Sequence, residues 1–358
     1  MKKKLVVQKT GIAVVTSAGV GVLDDIRKLI ESARGRVATY ANAELTMLYW
    51  KVGERIRREI LQEKRAEYGQ EILLTLSAKL ASDYGNSFSE KNLRRMTQFA
   101  EVFPGEKIVV SLIRQLTWTH FIALIPLKDS LKREFYAEMC RMECWSVRTL
   151  RKKIGSMMFE RTAIAKKPDA VIKMELASLR KEDKLTPDLV FRDPYFLDFL
   201  GLKGAFQEKD VETAILRDME SFILELGVGF SFIARQKRII VDGDDFYLDL
   251  LFYHRDLRRL VAIELKMEKF KPDFKGQMEL YLKWLDKYDR KTEEEHPIGL
   301  ILCAGKSDER IELLELSKSG IRVAEYMTEL MPKALLEKKF HDAIRLARLR
   351  LDHKGKES

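Results

Sequence analysis

Cysteine and long apolar runs are both scarce in this chain of 358 residues. Its three cysteines, Cys140, Cys144 and Cys303, cannot build a disulfide framework, and no Cys/His cluster has zinc-finger spacing. A reducing cytoplasm suits such a chain. The most apolar stretches, such as Phe246 to Tyr253, fall well short of the roughly 20 residues a membrane span needs, which excludes a transmembrane helix. Repeats and low-complexity tracts are absent as well. Gly11 to Leu23 comes after a basic start and superficially resembles a short secretory signal. Thr16, Ser17 and three glycines dilute it, however, and no small-x-small cleavage site precedes Asp24 and Asp25. Residues 1–23 are expected to be a tail.

The rest has a globular composition: 46% apolar and 34% charged residues, enough chain for two domains of about 150 residues each. The net charge of +10 is unevenly placed. Residues 1–170 hold 31 Lys+Arg against 19 Asp+Glu, a net of +12, and the remainder holds 34 against 36, a net of −2. That asymmetry points to a polyanion-binding module joined to a domain of different purpose. A basic solvated surface is the plainer alternative.

The basic half, residues 24–160, reads as helical. Apolar residues from Ile26 to Ile56 recur at helical spacing, and a second helix over Glu71–Tyr84 stops at Gly85-Asn86. Ser89 is placed to cap a third helix ending before Pro104-Gly105. Helix, short turn, basic helix is the shape of a helix-turn-helix. Lys91, Asn92, Arg94, Arg95 and Gln98 would face outward, where they could bond phosphates and base edges of DNA. Leu93, Met96 and Phe99 would face inward. A third helical block spans Leu112–Phe159; its His120 reads as a packed, hydrogen-bonded histidine, and Cys140 and Cys144 read as core. Residues 161–190, charged and closed by Thr186-Pro187, are expected to be a linker.

From Asp193 the period changes. A helix over Val211–Leu226, strands over Phe230–Val241, Phe246–His254 and Arg259–Met267, a helix from Pro272 to about Tyr288, a strand over Ile298–Cys303, a helix over Asp308–Ser317 and a last strand over Ile321–Glu325 predict a mixed α/β sheet flanked by helices over residues 191–332. Residues 333–358 form a basic C-terminal helix or tail.

Each of two neighbouring strands hides a carboxylate in an apolar frame: Asp249 within Phe246–Tyr253, and Glu264, with Lys266, within Leu260–Lys266. Isolated burial of an ionised carboxylate costs several kcal/mol, so each must be paired or metal-bound. If the hairpin turns about Asp256-Leu257, opposed residues have numbers summing to 513, and Asp249 and Glu264 meet that condition. Their β-carbons would stand roughly 5 Å apart. A divalent cation between the two acids removes their repulsion, and hard oxygen ligands with open water positions suit Mg²⁺ or Mn²⁺. An Asp–Lys–Glu ion cluster is the alternative, but it does not explain two acids for one base.

Asp249 followed fifteen residues later by Glu264-Leu-Lys266 resembles the metal-binding motif of the PD-(D/E)xK nuclease superfamily. The blocks Asp193-Pro-Tyr-Phe-Leu-Asp-Phe-Leu-Gly-Leu202, Asp245 to His254 and Ala262 to Lys266 are similar to its YhcG-type family. Phe88 to Phe99 and Gln115 to His120 resemble that family's helical, winged-helix-like DNA-binding N-terminal domain. The resemblance spans about Leu45 to Glu325. It implies an α+β, two-domain protein: an all-helical DNA-binding domain, then a restriction-endonuclease-like domain. It further implies that Asp249, Glu264 and the main-chain carbonyl of Leu265 hold the metal, that Lys266 orients the attacking water, and that Glu220 is the helix acid beside the metal. Gln277 and Tyr281 resemble a Gln-x-x-x-Tyr element able to position phosphate. The proline that usually precedes the first Asp is absent; Leu248 stands there.

The activity expected is Mg²⁺-dependent hydrolysis of DNA phosphodiester bonds, directed at mobile or foreign DNA, without a small-molecule cofactor or a membrane. Because one site cuts one strand, a homodimer is plausible. Two alternatives stay open: a nuclease selective for branched DNA, and a non-catalytic DNA-binding protein on a nuclease fold.

Overall fold

The computed structural model describes residues 17–63, 66–202 and 207–357. The expected tail therefore lies outside the described residues up to residue 16. Two compact units divide between Pro126 and Leu127.

In the first unit, helices α1 (Ser17–Glu63), α2 (Ala66–Tyr84), α3 (Glu90–Val102), α4 (Glu106–Leu112) and α5 (Trp118–Leu124) succeed one another. No strand occurs among its described residues, so the winged-helix expectation finds no wing here. The three inward positions of α3, Leu93, Met96 and Phe99, are completely buried, and the helix lies against α1. A glycine makes that approach possible: a β-carbon on Gly53 of α1 would stand 1.8 Å from the main-chain oxygen of Met96. His120 closes the start of α5, its Nδ1 accepting from the backbone N–H of Thr117 at 3.0 Å.

The second unit begins with helices as well: α6 (Ser130–Met142), α7 (Val147–Gly155), α8 (Met158–Arg161), α9 (Asp169–Glu182) and α10 (Pro187–Val190). The helical block expected over Leu112–Phe159 consists of several short helices, which are divided between the two units. Residues 161–190, expected as a linker, are packed instead: Ile172, Leu176 and Leu179 of α9 are fully buried. Their charges are not solvated but partnered, as where Arg180 Nε donates to Glu138 Oε1 at 2.6 Å. Cys140 is buried, but Cys144 lies beyond the end of α6 and is exposed.

A six-stranded mixed sheet completes the chain's architecture. Its strands are β1 (Tyr195–Phe196), β2 (Phe230–Val241), β3 (Asp244–His254), β4 (Arg259–Lys269), β5 (Ile298–Gly305) and β6 (Ile321–Met327), in spatial order β1-β6-β5-β4-β3-β2. The first four in that order run parallel, and β3 and β2 turn back antiparallel. Asp242 and Gly243 both adopt positive φ (52° and 90°), the two-residue turn that matches strand twist in a hairpin. Helices α11 (Glu208–Arg217), α12 (Met219–Leu226), α13 (Asp273–Tyr288), α14 (Asp308–Leu313) and α15 (Lys333–Glu357) belong to the same unit. Met278, Tyr281, Leu282 and Leu285 of α13 join Leu248, Leu251, Ile301 and Cys303 of the sheet in its main core. The single helix expected over Val211–Leu226 starts earlier, at Glu208, and is interrupted at Asp218.

Candidate active site

The register of β3 against β4 runs from His254↔Arg259 to Leu250↔Ile263. Every pair obeys the expected sum, and one step further Asp249 meets Glu264. There side chains replace the backbone ladder. Glu264 Oε1 accepts from the N–H of Asp249 at 3.2 Å, and Asp249 Oδ2 accepts from the N–H of Leu265 at 2.9 Å. The two carboxyl groups are therefore brought together at the point where the strands stop bonding main chain to main chain.

Lys266 Nζ lies 3.1 Å from Glu264 Oε2 and 3.5 Å from Glu208 Oε1 at the start of α11. Gln236 Nε2 donates to Asp249 Oδ1 at 3.0 Å from the neighbouring strand β2. Gln236 has φ +43°, a left-handed conformation that costs a non-glycine residue energy and tends to persist where surrounding structure enforces it. On α13, Gln277 Nε2 donates to the Tyr281 hydroxyl at 2.7 Å, and that hydroxyl donates to the carbonyl of Tyr247 at 3.3 Å. Tyr281 is almost wholly buried, so its hydroxyl ties α13 to β3 two residues ahead of Asp249 and is not presented to solvent.

The charges do not balance. Asp249, Glu264 and Glu208 surround one ammonium. Burial first, and Asp249 next, push the Glu264 carboxyl up to about 7 against the opposing pull of Lys266. Burial also raises Asp249, although the Leu265 N–H and Lys266 resist it, and it raises Glu208. Burial depresses Lys266, but Glu264, Glu208 and Asp249 outweigh it and hold the ammonium above its ordinary value. Tyr281 is raised by the same burial.

Such a site is short of positive charge, and its donors are hard oxygens, so it fits a divalent cation. Among the described residues no three His, Cys, Asp or Glu side chains form a ready ligand group. Two carboxylates, a main-chain carbonyl and water are the donor set that remains, and Mg²⁺ commonly keeps several waters.

Glu220 is not part of this cluster. It is exposed on α12, beyond the break at Asp218, whereas it is α11 that packs on β4. The helix acid that reaches Lys266 is Glu208, which the expected helix start at Val211 leaves out by three residues. The Gln207 and Asp210 capping box marks the true beginning. Gln236 carried no signal beyond being polar between two basic residues.

In the first unit, Lys91, Arg94 and Gln98 of α3 are exposed, and Asn92 and Arg95 are half-buried. Arg94 Nε and Nη2 both donate to Glu90 Oε1, at 2.8 and 2.6 Å, and Arg95 reaches Asn92 Oδ1 at 3.5 Å.

Residues 188–341 match the family model described as the YhcG PDDEXK nuclease domain, and residues 25–161 match the DUF1016 N-terminal domain. The class is a two-domain α+β protein with a PDDEXK-type nuclease domain behind a helical region. A protein of Escherichia coli (strain K12) named "Putative nuclease YhcG" is 34% identical over 322 residues, covering 81% of this chain and 85% of that protein. The chain belongs to the YhcG family. Among solved structures, a repair endonuclease from Pyrococcus abyssi is 25% identical with a TM-score of 0.25, covering 36% of this chain and 50% of that one. The EndoMS-dsDNA2 complex is 20% identical with a TM-score of 0.27, covering 36% and 49%. These two superpositions are too limited to bear on function. No described helix is long and apolar enough to cross a membrane.

Proposed function

We propose that the protein is a Mg²⁺- or Mn²⁺-dependent endodeoxyribonuclease, brought to DNA by the basic face of α3. The observation that carries this reading is the convergence of Asp249, Glu264 and Lys266 where β3 and β4 part. Asp249, Glu264 and the Leu265 carbonyl would hold the cation. When bound, the ion supplies Lewis acidity toward the scissile phosphate and acidifies water. Lys266, kept protonated by its three acidic neighbours, orients the attacking water and offsets charge building on the phosphate oxygens. Glu208 steadies the same ammonium. Gln236 fixes the Asp249 carboxylate, and Tyr281 fixes the strand that carries it, with Gln277 left half-buried at the edge where a phosphate would lie. Lys91, Asn92, Arg94, Arg95 and Gln98 would contact the duplex. Three cysteines, too few for a disulfide framework, suit work in the cytoplasm. Mobile or foreign DNA is the substrate envisaged, and a homodimer would present one site to each strand.

The test is incubation of the protein with plasmid and with a branched junction, each in Mg²⁺, Mn²⁺ or EDTA. Nicking that needs the metal and disappears in Asp249→Ala supports the proposal. Cleavage indifferent to Asp249→Ala removes it, preference for the junction narrows the substrate to branched DNA, and tight binding without nicking in any divalent ion makes the fold a non-catalytic DNA binder.

A further inference from the structure

Helix α1 carries more apolar surface than the first unit uses. From Thr46 onward its inward side chains, among them Tyr49, Trp50 and Ile56, are buried. Ahead of that point Leu23, Ile26, Ile30, Val37 and Tyr40 are between 43% and 69% exposed, and Ala33 is exposed too. Helices in proteins draw most of their stability from packing an apolar face, and no described residue covers this one.

The positions are not scattered. Leu23, Ile26, Ile30, Ala33, Val37 and Tyr40 are spaced by three, four, three, four and three residues. An apolar seam alternating steps of three and four, two positions in every seven residues, is buried along its whole length by a second helix winding beside it. Leu23, Ile30 and Val37 fall at the a positions of a heptad, and Ile26, Ala33 and Tyr40 at its d positions. The acids Asp24 and Glu31 lie off the seam, engaged with Arg27 and Arg34 of the same helix at 3.4 Å each.

Flanking charge selects the orientation. The e and g positions beside the seam hold Arg27, Arg34 and Arg36 and no acid. An antiparallel pair would set Arg27 of each copy against Arg34 of the other. A parallel, in-register pair sets Leu29 against Arg34 and Arg36 against Ala41, so no like charges meet and the arginine stems cover the apolar edge. At the next a position Glu44 would oppose itself, which ends the seam.

We propose that residues 23–40 of α1 form a parallel two-stranded coiled coil with the same segment of a second copy of this chain. The pairing is read from the helix alone and is independent of the nuclease chemistry.

Light scattering on the full chain at tens of micromolar should give twice the 41.7 kDa of one chain. Ile30→Glu combined with Val37→Glu should halve that mass while the near-ultraviolet dichroism of Trp50 and Trp118 stays unchanged. Thr39→Glu, on the outer face, should leave the dimer intact. In a Cys144→Ser background, Leu23→Cys should oxidise to a disulfide-linked pair, because an antiparallel pair would set residue 23 at the opposite end of the seam from its copy. A single-chain mass for the unaltered protein, a dimer that survives the double glutamate variant, or the absence of the cross-link would each overturn the proposal. Should the double variant misfold, the cross-link decides alone.

Discussion

The backbone N–H of Asp249 donates to the carboxylate of Glu264 at 3.2 Å, so one acid of the site holds the main chain of the other. Asp249 in turn bonds the N–H of Leu265. Carboxylates stand where ladder hydrogen bonds would otherwise run, and the pair is positioned before any ion arrives.

That arrangement has a pH signature. The folded-state pKa of Glu264, about 7, lies above its unfolded value near 4.3. The group therefore costs nothing below the unfolded value, costs progressively more as pH rises through the interval, and costs its full amount above 7. With EDTA present, Glu264→Gln should melt above the unaltered protein at pH 8, by an amount equivalent to up to ~3–4 kcal/mol, and the gap should close toward pH 5. Comparing the two proteins cancels the opposite slope of His254, which burial lowers to about 4. A melting difference that stays constant from pH 5 to 8 would show that Glu264 is ordinary.

Lys266→Ala should lower single-turnover cleavage by roughly 10²–10³-fold, the scale of losing one group aimed at developing charge. Mn²⁺ affinity, measured by calorimetry, should hold or rise. Glu208→Gln should reduce cleavage by about tenfold because it acts on Lys266 and not on phosphate. Glu220→Gln should leave the rate unaltered, and a deficit there equal to that of Glu208→Gln would reverse the assignment of the helix acid.

Replacing a helical glycine by alanine normally stabilises a protein by up to about 1 kcal/mol. Gly53→Ala should do the reverse. Its new methyl would strike the Met96 carbonyl, which is backbone and cannot rotate away, so α3 must shift off α1. A loss of ~1–3 kcal/mol in denaturant melts of the first unit's transition is expected, in the range of overpacked cores. A stabilised variant would show that the two helices have room to part.

Arg94→Ala with Arg95→Ala should weaken binding to a DNA duplex and lower the slope of log affinity against log salt by up to about 2. Arg94 is held by Glu90, so Glu90→Ala alone should steepen that slope. Identical slopes for all three proteins would place the DNA elsewhere.

Much of the fold and the site was legible in the residues. Alternating turn signals and apolar runs located the strands from Phe230 to Glu325, and one turn position was enough to set the antiparallel register. The inward triad of α3 came from its spacing. The features that escaped did so for physical reasons. A two-residue strand such as Tyr195–Phe196 carries no periodicity. The break at Asp218 lies inside an unbroken amphipathic pattern, and with it went the choice between Glu208 and Glu220. The charged stretch from Arg161 to Val190 looked solvated because its ionic partners lie far off in sequence.

Arg161 limits how the molecule can be dissected. Buried against the ring of Phe196 at 3.8 Å, it donates to the carbonyl of Pro194 at 3.1 Å and to Glu225 Oε1 at 2.5 Å. A fragment cut just after it would take from the buried Glu225 carboxylate its closer arginine, leaving it Arg192 and the Phe196 N–H. Removing one partner of a buried ion pair is among the more damaging changes a fold can suffer. An autonomous catalytic piece therefore has to start near Leu127 and keep its helical preface, even though the sheet does not begin for another seventy residues or so.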